Sequence, residues 1–238
     1  MIDQLEIAPG TAGGPDIVLL HGIDGDPVKS WCAGGDAPVF AQRLAAYFPQ
    51  AHVRSLGYPA SLPRFRATPG LDLAVVAAQL ARDFDTMLAP ARPAVFVGFC
   101  LGGLLAALAL RERQRVAPLP PVLLFLLDAP LREAEGEDPF PQVREALGLT
   151  ADRMAANLDW LRAAMADGAI AIVSILTEAP GWMAPYGRDA LSPPAPLHRV
   201  PGDHLAMVAA SPDGDLPTLT HVIAETQRFL NGGAAPSR

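Results

Sequence analysis

Val95-Phe96-Val97-Gly98-Phe99-Cys100-Leu101-Gly102-Gly103-Leu104-Leu105-Ala106-Ala107 joins a β-prone apolar run to an Ala/Leu run of high helix propensity. The joint is Gly-Phe-Cys-Leu-Gly. Strand, sharp turn and helix form the setting in which a G-x-S-x-G nucleophile elbow has physical meaning. Such a turn strains its central residue, and Gly98 and Gly102 leave room for strand and helix to approach closely. The central residue is cysteine, at a helix N-terminus, where the dipole favours negative charge. Two other readings exist. A phosphate-binding turn needs G-x-G-x-x-G or a Walker Gly-Lys-Ser/Thr, and Gly98, Gly102 and Gly103 match neither. A free cysteine can also be a small buried hydrophobe.

Outward from the elbow, apolar runs alternate with helical patterns. Ile17-Val18-Leu19-Leu20 reads as a buried strand, with His21-Gly22-Ile23-Asp24-Gly25 at its C-terminal end. In open α/β sheets ligands bind beyond the carboxyl ends of strands. A His-Gly turn there supplies a backbone N–H to an oxyanion hole, with Ile23 as one donor and Leu101 as the other. The alternative is a plain strand-to-loop turn. The spacing predicts a helix over 39–48, a strand over 52–56, a Pro-rich loop, and an amphipathic helix over 71–88 with Val76, Leu80, Phe84 and Met87 on one face. After the elbow helix, the arginines between Arg111 and Arg115 are a solvated helix end. Pro121-Val122-Leu123-Leu124-Phe125-Leu126-Leu127-Asp128 is apolar on both faces, the pattern of a central parallel strand, and it ends in a carboxylate.

Residues 129–168 look like a helical insertion. Asp138-Pro139-Phe140-Pro141 opens a short helix, and Thr150 caps a second one carrying a stripe of Met154, Leu158, Leu161 and Met165. That stripe fits either core packing or a lid. A strand over 169–176 ends at Thr177-Glu178, an edge strand covers 197–200, and Leu216 to Leu230 closes the fold as a helix.

Composition bounds the function. Of 238 residues, 50% are hydrophobic, enough for one sizeable α/β core over 1–230, and 231–238 reads as a disordered tail. A net charge of −7 with no extended basic run argues against nucleic acid. Cys32 and Cys100 form no disulfide framework, which suits a reducing, cytoplasmic setting. The N-terminus lacks a signal-peptide pattern, and no apolar stretch reaches membrane-spanning length. No cofactor or metal motif is expected.

The chemistry-bearing residues follow in the order Cys100, Asp128, His204, the nucleophile–acid–histidine order of Ser-Asp-His enzymes with an elbow. His204 sits in a late Gly-Asp-His loop. Glu178, one strand later, is the alternative acid. Asp203 is too close to the histidine in sequence to serve.

These residues resemble an α/β hydrolase. The second half is similar to thioesterase domains of polyketide and nonribosomal-peptide assembly lines, through Leu126-Leu127-Asp128-Ala129-Pro130, the helical insertion, and Val200-Pro201-Gly202-Asp203-His204-Leu205-Ala206-Met207. The resemblance implies a mostly parallel sheet flanked by helices, a helical lid, and an acid after the strand that follows the elbow, which favours Asp128. The opening, Leu20 to Trp31, is similar to lipase- and esterase-like hydrolases. Gly98-Phe99-Cys100-Leu101-Gly102-Gly103 resembles the cysteine elbow of dienelactone hydrolases and polyhydroxyalkanoate synthases. A thiolate attacking a thioester exchanges one thioester for another, a near-balanced step, whereas attack on an oxoester leads uphill. The expectation is a Cys-His-Asp acyl hydrolase or acyltransferase acting on thioesters, free or carrier-protein-bound. Alternatives are an oxoester esterase, lipase or lactonase, and a non-catalytic hydrolase-fold binding protein.

Overall fold

The computed structural model describes residues 2–33, 35–68, 70–135, 141–179, 181–209 and 214–232. Seven strands form one sheet in the order β1-β3-β2-β4-β5-β6-β7. They are β1 (Asp3–Pro9), β2 (Asp16–Leu20), β3 (His52–Gly57), β4 (Ala94–Phe99), β5 (Val122–Leu127), β6 (Ile170–Ala179) and β7 (Leu197–Asp203). Only β1 runs antiparallel to its neighbour; the other adjacent pairs are parallel. The helices are α1 (Val39–Tyr47), α2 (Leu62–Ala67), α3 (Leu73–Met87), α4 (Leu101–Gln114), α5 (Pro141–Ala146), α6 (Ala151–Ala166) and α7 (Pro217–Leu230). This is the α/β-hydrolase architecture, with helices flanking a mostly parallel sheet.

The sequence explains the layering. Every residue of β2, β4 and β5 is buried, as strands covered on both faces must be. Each fully buried Val, Leu or Phe there contributes about 1.5–3 kcal/mol of burial free energy. α3 places Leu73, Val76, Leu80, Phe84 and Met87 inward, and its N-terminus is capped by Asp72 accepting from Val75 N at 2.9 Å. α6 is capped by Thr150 in the same way, through Arg153 N at 3.3 Å.

β1, α2 and the 3-10 turns Lys29–Trp31 and Gly181–Tyr186 are not expected from the sequence. β1 alternates Leu5 and Ile7 with Gln4 and Glu6, a period-two pattern that its partly exposed edge position softens. α2 lies in what reads as a Pro-rich loop, with Pro63 tolerated in its first turn. The stretch before β7 holds a 3-10 turn, Gly181–Tyr186. The proposed start of the first insertion helix at Asp138–Phe140, and 233–238 of the tail, fall outside the described residues.

The strand order sets where a site can form. The chain leaves β2 for β3 on one side and returns to β4 on the other, so adjacent crossovers diverge between β2 and β4. Such a switch point opens a crevice beyond the carboxyl ends of the strands.

Candidate active site

Cys100 caps α4 directly after β4, with φ 53° and ψ −123°. Non-glycine residues avoid this region, at a cost of about 1–3 kcal/mol. The surroundings hold it there. Cys100 N donates to Leu127 O at 2.8 Å, and Gly103 N donates to Cys100 O at 3.1 Å. The flanking glycines are sterically required. A Cβ on Gly102 would stand 2.2 Å from Leu20 O, and one on Gly98 would stand 2.4 Å from Gly103 Cα. The elbow anticipated from Gly98-Phe99-Cys100-Leu101-Gly102 is therefore a sharp strand-to-helix turn pressed against the end of β2.

The His21-Gly22-Ile23 turn lies against this elbow. A Cβ on Gly22 would meet Cys100 Cβ at 3.0 Å. Ile23, Leu101 and Cys100 line one cavity. The amides of Ile23 and Leu101 donate to no carbonyl among the turn and loop hydrogen bonds of the described residues. The turn is braced from behind: the Tyr58 hydroxyl donates to His21 O, and the two rings stack at 4.2 Å. Burial, reinforced by the nearby Cys100, pushes the Tyr58 phenol well above its ordinary range, so it stays a donor. Burial lowers the His21 pKa, and its Nδ1 lies 2.8 Å from Gly22 O, a donor's position for the neutral ring.

Asp128 follows β5 with φ 46°, its N–H donating to Ile175 O at 3.0 Å. Its Oδ2 lies 3.1 Å from His204 Nδ1 and accepts from Thr177 Oγ1 at 2.5 Å. Its Oδ1 accepts from Thr177 N at 3.1 Å and from the Arg188 guanidinium. Burial works against a charge here, yet the bonds from His204 and Thr177 and the charge of Arg188 hold the carboxyl below its usual range. His204 opens a 3-10 turn capped by Asp203, whose Oδ1 accepts from Leu205 N at 3.0 Å and Ala206 N at 3.1 Å. Asp203 thus orients the backbone that presents the imidazole. The ring stacks on Phe99 at 4.8 Å, bonds Asp128 through Nδ1 and interacts electrostatically with Cys100. Burial opposes its protonation, but Asp128 and Cys100 together raise its pKa to about 9.

The structure therefore brings Cys100, His204 and Asp128 together and leaves Glu178 out. Consecutive strand residues point to opposite faces. Thr177 turns into the site and is buried, so Glu178 turns away and is exposed. Thr177 and Arg188 were not singled out from sequence. Thr177 sits one position from the residue that was, at the end of β6. Arg188 lies in a Gly/Pro-rich stretch that carries no local signal.

Cys100 forms part of the floor of a cavity of about 240 Å3 with almost wholly apolar walls. Its roof comes from Leu62 of α2, Val143 of α5, Leu147 and Leu149 beyond it, Met154 at the start of α6, and Met183 and Tyr186 of the 3-10 turn. α2 and α5 pack on each other, while the remainder of α6 packs on α4 and β6 as the crossover helix. The Met154/Leu158/Leu161/Met165 stripe accordingly divides, Met154 facing the cavity and Leu158 and Leu161 lying in the core. Among the described residues no His, Cys, Asp and Glu cluster suits a metal ion, and no helix is long and apolar enough to cross a membrane.

No family model matches the chain, and no curated protein matches its sequence. Solved structures do match in fold. The NocB thioesterase domain from the nocardicin cluster is 18% identical with a TM-score of 0.56, covering 97% of this chain and 99% of that one. YbtT, the type II thioesterase of the yersiniabactin pathway, is 14% identical with a TM-score of 0.57, covering 97% and 99%. A carboxylesterase of the thaumarchaeon Nitrososphaera gargenis is 12% identical with a TM-score of 0.63, covering 97% and 96%. At these identities the likeness is one of fold, and the fold is that of the α/β hydrolases.

Proposed function

We propose that the protein is a cysteine-nucleophile acyl hydrolase or acyltransferase that takes acyl thioesters. The observation that carries this reading is the juxtaposition of Cys100, His204 and Asp128, with Cys100 lining an apolar cavity. The thioesterase neighbours support the ester and thioester class, and the cysteine, in an elbow resembling that of dienelactone hydrolases, favours thioesters within it.

His204 takes the proton of the Cys100 thiol, and sulfur attacks the acyl carbonyl carbon. The amides of Ile23 and Leu101 hold the resulting oxyanion. As the tetrahedral centre collapses, the carbon–sulfur bond to the leaving group breaks, and that sulfur takes the proton from His204. An acyl group remains on Cys100. Water, deprotonated by His204, then attacks; a carboxylic acid leaves and the thiol is restored. An amine or alcohol in place of water gives transfer. Asp128 fixes the Nδ1-protonated tautomer and stabilises the imidazolium. The acyl chain occupies the cavity, and the carrier thiol, free or protein-bound, leads out of it.

Intact mass after incubation with a panel of acyl-coenzyme A and acyl-pantetheine thioesters tests this. The expected result is an acyl adduct on Cys100 that Cys100→Ala cannot form. Turnover of oxoesters with no loading from any thioester would favour the carboxylesterase reading, with which the Nitrososphaera neighbour agrees. A chain that turned over neither class, yet bound apolar ligands, would be a binding protein.

A further inference from the structure

The mechanism above uses an acid, a histidine and a thiol, and leaves unexplained the buried cation that touches the acid. Arg188 is only 8% exposed, between the 3-10 turn Gly181–Tyr186 and β7. A guanidinium withdrawn from water is unfavourable unless it is closely paired. Its partner is Asp128, the proposed acid, through the oxygen that does not face His204. Thr177 supplies two further donors, so both carboxylate oxygens are engaged.

Two consequences follow from this placement. A positive charge on the far side of the carboxylate offsets part of the field that stabilises the imidazolium. The groups facing His204 are Cys100 and Asp128; those facing Asp128 are His204, Arg188 and the neutral Thr177. The segment bearing Arg188 also carries Met183 and Tyr186, which line the cavity. Its backbone is tied to the loop after β5, where Leu131 N and Arg132 N donate to Tyr186 O at 3.1 and 3.2 Å. The ion pair adds a side-chain tie between the same two segments.

We propose that Arg188 is a positioning residue for the reaction: it fixes the Asp128 carboxylate from the side away from His204, limits how strongly that carboxylate stabilises the imidazolium, and ties the Met183/Tyr186 wall to the acid. This rests on the reading of Asp128 as the partner of His204.

The test follows the His204 imidazole by NMR across pH in the full chain carrying Cys100→Ala, so that no sulfur titrates and no substrate is needed. Adding Arg188→Met removes the charge, and the midpoint of His204 is expected to rise by about one pH unit, the lower end of the effect of a nearby charge. Arg188→Lys keeps the charge and is expected to leave the midpoint near that of the parent. An unmoved or lowered midpoint in folded Arg188→Met overturns the proposal. Arg188→Gln takes its place where Arg188→Met does not fold. If no charge-removing variant folds, Arg188 is a structural ion pair and the proposal falls. Asp128→Asn in the same background separates the two layers of the argument. A fall in the His204 midpoint there keeps Asp128 as its partner, so an unmoved Arg188→Met then removes the role of Arg188 alone. Absence of that fall removes the assignment of Asp128, and the proposal with it.

Discussion

Asp128 Oδ2 lies 3.1 Å from His204 Nδ1, although 76 residues separate them in the chain. Parallel strands β5, β6 and β7 carry the two side chains to the same edge of the sheet, with Thr177 of β6 donating twice to Asp128. That hydrogen bond decides which ring nitrogen is protonated, and so which one turns toward Cys100.

The acid can be assigned by substitution. Asp128→Asn is expected to lower kcat/KM for a thioester by about 10²–10⁴-fold, because the imidazole loses its tautomer control. Glu178→Gln, on the opposite strand face, is expected to change it by less than about twofold. Kinetics of both variants beside their thermal melts would show the ranking, and the reverse order would move the role to Glu178.

The proposed nucleophile has its own signature. Iodoacetamide is expected to label Cys100, which lines the cavity, ahead of Cys32, which does not and which donates to Val28 O at 3.3 Å. Labelling read by peptide mass should parallel loss of activity. Cys100→Ser is expected to load from an acyl thioester but release the acyl group more slowly, since an oxyester is less activated than a thioester. Faster oxoester turnover without thioester loading would reverse the preference between the two substrate classes.

Stability should depend on pH through the same pair. The folded-state pKa of His204 lies near 9, above the unfolded value of 6.5. Its contribution is therefore fully present below about pH 6.5 and lost as pH rises through 9. Linkage caps it at about 3 kcal/mol. Thermal melts from pH 6.5 to 9 are expected to fall in Tm, and His204→Gln should flatten that interval. Asp128 has the opposite sign: its folded pKa is lowered, so its contribution holds above the unfolded value and is lost as pH falls through the folded one.

Chain-length preference should respond to Met154. It lines the cavity beside Cys100 and, with Leu149, also lines a neighbouring cleft of about 320 Å3 between α3, α4 and α6. Met154→Ala is expected to open one into the other and raise the long-to-short acyl kcat/KM ratio by about tenfold. It should cost about 2–5 kcal/mol of stability. An unchanged ratio in the folded variant would take Met154 out of the acyl site.

The elbow glycine tests the geometry itself. Gly102→Ala puts a methyl against two backbone oxygens, at 2.2 Å from Leu20 O and 2.4 Å from His21 O, neither of which can swing aside. Little folded protein is expected, whereas Gly168→Ala, with φ 72° but open space around it, should fold at a cost of about 1 kcal/mol or slightly more.

Much of this was local enough to be legible in the chain. Apolar runs such as Val122–Leu127 define buried parallel strands because both faces must be covered. The elbow is legible from its Gly-x-Cys-x-Gly spacing between a strand and a helix pattern: Gly98 answers a steric demand from Gly102 and Gly103 a few residues on, whereas the demand on Gly102 comes from Leu20 O and His21 O at the end of β2. Strand ends carrying Cys100 and Asp128, and the loop carrying His204, follow from the same periodicity. The tertiary structure alone decided the rest. Thr177 and Glu178 are both strand-end polar residues; which one meets Asp128 depends on the register of β6 against β5 and on which face is buried. The cavity roof gathers α2, α5, the start of α6 and the Gly181–Tyr186 turn from far-apart segments with weak periodicity. Arg188 reads as an ordinary loop cation until the fold buries it against a carboxylate 60 residues away. Periodicity records what a residue owes its own strand or helix, while pairing between distant segments is settled only when the sheet brings them within a few ångströms.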